Sequence, residues 1–143
     1  MTGNYVATSD ITIAAPAERV WAVLTDPAAV KEFMFGTDVR TDWSPGSSIT
    51  WRGEWEGKAY EDRGSIVDVE PGSRLVMTHF SPLSGQEDVP ENYHTLTWTL
   101  EESGGGTKLT LSQDNNGSAE EAEHSKGMWD NLVASVKEIA ERE

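Results

Sequence analysis

Apolar residues recur at helical spacing in the last quarter of the chain and alternate with polar ones through most of the middle, and that contrast predicts the architecture. Between Ser118 and Arg142, residues Ala122, Trp129, Leu132, Val133, Val136, Ile139 and Ala140 fall at i, i+3, i+4 and i+7 intervals, the spacing of one buried helix face. Glu120, Glu123, Asp130, Glu138 and Glu141 take the opposite face. Ser118 followed by Glu121 has the form of a capping box, and acids in the first turn suit the positive end of the helix dipole. At about 1.5 Å per residue this helix spans roughly 37 Å. It is too amphipathic to stand alone in water, so a broad surface must lie beneath it.

The upstream sequence offers that surface as strands. Tyr5 to Ala14 carries Val6, Thr8, Ile11, Thr12 and Ile13 and predicts a first strand. Pro16 stands at the first position of a short helix bearing Ala17, Val20, Trp21 and Leu24, which Thr25-Asp26-Pro27 stops. Asp26 then caps a second short helix from Pro27 to about Phe33. From Asp38 to Gln113 strands and turns alternate. Ser44-Pro45-Gly46-Ser47 is a turn, and Ile49, Trp51, Gly53 and Trp55 then alternate with Thr50, Arg52 and Glu54. Glu56-Gly57-Lys58 has the look of a hairpin loop. A long strand from Ala59 to Glu70 follows, with Gly64 expected as a bulge or bend. Arg74 to Phe80 predicts another strand, and Ser81 to Glu91 is too long and too rich in Pro, Gly and acids for an ordinary hairpin. His94 to Glu101 alternates cleanly, with Leu96, Trp98 and Leu100 on one face, and a last strand through Leu109 and Leu111 leads to Asn115-Asn116-Gly117. One strand, two short helices, about six antiparallel strands and one long helix make an α+β layer architecture.

The stretch Ile13-Ala-Ala-Pro16-Ala-Glu18-Arg-Val20-Trp21-Ala-Val-Leu24-Thr25-Asp26-Pro27 closely resembles the opening signature of the bacterial SRPBCC proteins, the START-like or Bet v 1-like superfamily. Within it, the best match is the branch named after the activator of Hsp90 ATPase. Trp51 and Trp55 in the third strand, Gly64-Ser65-Ile66-Val67, Gly105 to Leu111, and Gly127-Met128-Trp129-Asp130-Asn131-Leu132 in the final helix agree with it. The resemblance covers essentially the whole chain as a single domain, residues 1–143. It implies a helix-grip fold: a curved antiparallel sheet of six to seven strands around the long helix, with a cavity between them. It also implies binding of lipids, sterols, polyketides or other apolar molecules, and in some members cyclase or dehydratase activity. A chaperone partner is a lesser expectation, because the eukaryotic co-chaperones carry a separate N-terminal domain for which this chain leaves no room. One departure is Ser112-Gln113-Asp114-Asn115, where many relatives have a histidine, so no histidine role carries over there.

Charge and composition narrow the partners. Twenty-five acids against eleven Lys and Arg give a formal charge of −14, which repels nucleic acid and anionic membranes. The absence of cysteine excludes disulfides and thiolate chemistry. No stretch approaches a membrane span and the N-terminus has no leader pattern, so a cytoplasmic protein without membrane insertion is expected. His79, His94 and His124 have no metal-binding spacing, and no phosphate loop is present, so neither metal nor cofactor is expected.

Binding is expected ahead of catalysis, with the ligand between the last helix and the concave face of the sheet. Trp51, Trp55, Met77, Trp98, Trp129 and Val133 are the expected ligand contacts, because a pocket wall needs large apolar area with an occasional polar tip. Plain core filling explains the tryptophans equally well. Phe33, Met34 and Phe35, at the end of the second short helix, are gate candidates. His79 shares the register of Leu75 and Met77 and is the named candidate for acid–base catalysis, with a cavity carboxylate as the alternative; a hydrogen-bonded or solvated histidine at a strand end is the simpler account. Arg52, Glu54, Glu61 and Arg63 suggest a cross-strand ion-pair ladder on the wet face. A ligand-binding role predicts an internal cavity of several hundred Å³.

Overall fold

Alternating exposure along the middle of the chain resolves, in a computed structural model that describes residues 5–34, 36–55, 57–82 and 85–142 without the Trp55 side chain, into one antiparallel sheet. Its strands are β1 (Tyr5–Ile13), β2 (Asp38–Thr41), β3 (Ser48–Trp55), β4 (Lys58–Glu70), β5 (Arg74–His79), β6 (His94–Ser103) and β7 (Gly106–Asn116). They lie in the order β1-β7-β6-β5-β4-β3-β2, so β2 through β7 form a meander and β1 closes on the last strand. The helices are α1 (Ala17–Leu24), α2 (Pro27–Phe33) and α3 (Ala119–Ala140). This curved sheet on a long C-terminal helix is the helix-grip fold.

Local chemistry sets most boundaries. Asp26 accepts a hydrogen bond from Ala28 N at 3.1 Å and caps α2, with Pro27 in its first turn. Pro16 precedes α1 in an extended conformation, φ −69° and ψ 157°, so it stands at the N-cap position without a side-chain hydrogen bond and Ala17 opens the helix. β7 runs on to Asn116, into the Asn115-Asn116-Gly117 segment expected to lead to the helix, because Tyr5 on β1 still pairs with Asn116. Gly64 is not itself the bulge: the register slips further on, between Ile66 and Asp68. Gly64 serves a close approach instead, since a Cβ there would stand 1.8 Å from Thr78 O. Glu56 of the expected hairpin loop lies outside the described residues.

The expected ladder survives in one rung. Arg52 meets Glu61 across β3 and β4 at 3.4 Å, whereas Arg63 reaches Asp88 in the loop before β6 at 3.0 Å. All four side chains are largely exposed, so each pair adds only a few tenths of a kcal/mol.

α3 is fastened at both ends. Ser118 Oγ accepts from Glu121 N at 3.0 Å, and the Glu121 carboxylate accepts from Gly117 N at 2.8 Å, one residue earlier than in a standard capping box. At the other end Arg19 donates to the carbonyls of Ala140 and Ile139, in the last turn where the i+4 ladder of α3 runs out; Ile139 O also accepts from Arg142 N at 3.2 Å. Glu141 accepts from Ala14 N at 2.8 Å, and buried Thr107 donates to Ala15 O at 2.8 Å. The segment from Ala14 to Arg19 is therefore the clasp that ties the end of α3 to β1 and β7.

The buried face of α3 holds Trp129, Leu132, Val133, Val136, Ile139 and Ala140, as the helical spacing predicts. Its sheet contacts fall chiefly on β1 and β7. The flank from β2 to β5 is covered from elsewhere: α2 packs against β2, and Met34 and Trp43 pack against the core.

Candidate functional site

Where α3 ceases to cover the sheet, a small cavity opens, with a volume of about 50 Å³. β3 supplies Ile49 and Trp51, β5 supplies Leu75, Met77 and His79, and β6 supplies Leu96 and Trp98. From the helices come Val30 and Phe33 of α2 and Trp129 and Leu132 of α3. Met34 and Trp43, both half-buried, touch the cavity and solvent together and so stand at its mouth. The space is much smaller than the several hundred Å³ that a ligand-binding role predicts, because indole rings from three sides fill the gap between the layers.

The mouth is braced. Thr37 donates to Met34 O at 3.0 Å, which uses its only hydroxyl proton, so Tyr60 must donate in turn to Thr37 at 2.7 Å. Tyr60 lies flat over its cross-strand partner Gly53, where a Cβ would stand 2.4 Å from the phenol oxygen. Trp43 adopts a left-handed conformation, φ 57°, which costs a non-glycine residue about 1 kcal/mol and is held by its packing on the core.

Among the described residues, a titratable side chain reaches the cavity wall at one place, His79. His79 sits edge-on to Trp51, ring centroids 4.9 Å apart, and lies parallel to His94 at 6.5 Å. Its Nε2 is 2.9 Å from Asp62 Oδ2, and since a carboxylate accepts, Nε2 carries the hydrogen. Asp62 occupies the inward register of β4, directly across from Trp51. Its other oxygen, Oδ1, and His79 Nδ1 are both shut off from solvent and have no hydrogen-bond partner among the described residues. Trp129, by contrast, is satisfied: its indole nitrogen donates to Gln113 Oε1 at 3.2 Å. Among the described residues no three His, Asp or Glu side chains converge as a metal-ligand set.

Of the residues singled out from sequence, Trp51, Met77, Trp98 and Trp129 line the cavity together. Val133 does not: it is 1 % exposed within the core, and its neighbour Leu132 takes the place at the cavity, a shift of one helical position that spacing alone leaves open. The backbone of Trp55 belongs to β3, but its side chain lies outside the description, as does the whole of Phe35. Phe33 is buried and edge-on to Trp98 at 6.3 Å, which makes it wall; Met34 holds the gate position. His94 is occupied, its Nδ1 donating to Asp114 O at 2.8 Å. Trp43 and Asp62 were not singled out. Asp62 was findable, since the register Tyr60, Asp62, Gly64, Ile66 points it inward, whereas Trp43 sits in a loop with no periodicity.

The geometry agrees with known proteins. The model of the family described as activator of Hsp90 ATPase homolog 1-like protein matches residues 14–141. A comparison with curated proteins found no match. Among solved structures, the solution structure of ChR145 from Cytophaga hutchinsonii is 45% identical, covers 99% of this chain and 97% of its own, and superposes with a TM-score of 0.85. CV1439 from Chromobacterium violaceum is 19% identical over 96% of this chain and 98% of its own, with a TM-score of 0.78. The Aha1 dimer from Colwellia psychrerythraea is 18% identical over 96% of each chain, with a TM-score of 0.74. At those lower identities the likeness is one of fold. Fold and family are consistent with the binding of a ligand or of a protein. The match over nearly the whole chain places this protein in the activator of Hsp90 ATPase homolog 1-like family, a branch of the SRPBCC superfamily.

Proposed function

We propose that the chain binds a small apolar or aromatic molecule in the cavity between α2, α3 and the β3–β6 part of the sheet. The observation that supports this reading is the cavity itself, lined among the described residues almost wholly by apolar side chains, with the half-buried Met34 and Trp43 at its edge. Well-packed cores keep few voids larger than a water molecule, and this one lies where four tryptophans meet. A benzene-sized guest occupies a cavity of about 150 Å³. Met34 and Trp43 must therefore swing outward to admit one, and burial of apolar ligand surface at about 25 cal/mol per Å² offsets the cost of opening.

Tryptophan emission gives the test, because Trp43, Trp51, Trp98 and Trp129 all touch the cavity. Titration with benzene, indole, naphthalene and medium-chain fatty acids should produce a saturable change with at least one probe, and Trp98→Phe should alter its amplitude. A flat response to every probe from folded protein removes the proposal.

A further inference from the structure

We propose that the Asp62–His79 pair selects ligands bearing a hydroxyl group on an apolar or aromatic body, an inference that rests on the ligand-binding reading above. A carboxylate on the concave face of a sheet contributes nothing to apolar packing, and Asp62 stands there opposite Trp51 where a Val or Leu would bury more favourably. Its one described partner is His79 Nε2, so its effect is to hold the imidazole in one orientation and tautomer. That orientation places the ring against the cavity with Nδ1 unpartnered among the described residues. A buried polar atom left in this state is penalised, and a ligand that supplies the missing partner recovers roughly ten- to hundredfold in affinity.

The chemistry of the site favours a hydroxyl over other polar groups. A hydroxyl both donates and accepts, so it satisfies Nδ1 whether or not that nitrogen carries a hydrogen. An anionic ligand would approach the Asp62 carboxylate through a single ring, and an ammonium would lose its hydration against walls formed by Trp51, Trp98 and Trp129.

Phenol and toluene are matched in size and differ at one position, so the full chain titrated with each decides the matter. Two readouts apply: affinity from tryptophan emission, and the ¹⁵N resonance of His79 Nδ1 in the wild-type chain. Phenol should bind at least as tightly as toluene, although water retains phenol more strongly, and should move the Nδ1 resonance while toluene leaves it in place. His79→Phe should reverse the preference toward toluene by about tenfold; if that variant does not fold, the wild-type resonance decides. Binding of both probes with Nδ1 unmoved overturns the inference and leaves the ligand-binding reading standing. If neither probe binds, and no other apolar probe does, both fall together.

Discussion

Gly64 stands where β4 and β5 come too close for any side chain: the obstacle to a Cβ is the main-chain oxygen of Thr78, which no rotamer change can move aside. Gly64→Ala should therefore cost about 2–4 kcal/mol, read as a lower urea midpoint with unchanged slope. Gln113 carries a different burden. It is 6 % exposed and accepts the Trp129 indole hydrogen, so Gln113→Leu should cost about 1–3 kcal/mol by leaving that donor buried and unpaired. An unchanged midpoint would show that the indole finds another acceptor. The sequence shows a missing histidine at this point, but not the glutamine's role, because the acceptor and its donor sit on different elements. Asp62 was legible but easily passed over: beside Glu61 and Arg63 it reads as one more surface charge, and only the strand register separates it from them.

At the scale of elements, α3 was the most readable part of the chain, since helical spacing and the Ser118 cap mark its face and its start. Its fastening was not readable, because Ala14, Arg19 and Asp130 meet their partners across more than a hundred residues. These anchors predict the acid response. The hydrogen bond from Ala14 N, reinforced by Lys137, holds the Glu141 carboxyl below its ordinary value of 4.5, and Ser9, with Lys126, holds Asp130 below 3.8. A carboxyl that is more acidic in the folded chain takes up its proton first in the unfolded chain as the pH falls. The stability it adds is thus complete above the ordinary carboxylate range and is lost as the pH drops through the lowered folded value. Urea midpoints should hold steady from about pH 7 to about pH 5 and fall below about 4.5. Glu141→Gln, which keeps an acceptor for Ala14 N, should make that fall shallower; an identical acid profile would show that the clasp is not held by charge.

Across the whole molecule, the order of elements follows from periodicity, which depends on neighbours in sequence, whereas the helix-grip architecture is what the family resemblance of the opening motif implies. The size of the cavity does not follow, because it is the difference between two large volumes, the gap between the layers and the side chains that fill it. Trp43 shows the difficulty, entering that space from a loop whose sequence gives no hint of direction.

The long helix bears on only one flank of the sheet, and so the two flanks should differ in how readily their amides trade hydrogen for deuterium. β7, paired on both sides beneath α3, should be the slowest to label, while β2, four residues long at the outer rim, and the neighbouring half of β3 should label early without the rest of the fold coming apart. The molecule would then breathe on the side where its hollow lies, and a guest could come and go while the clasp at the far end stays shut.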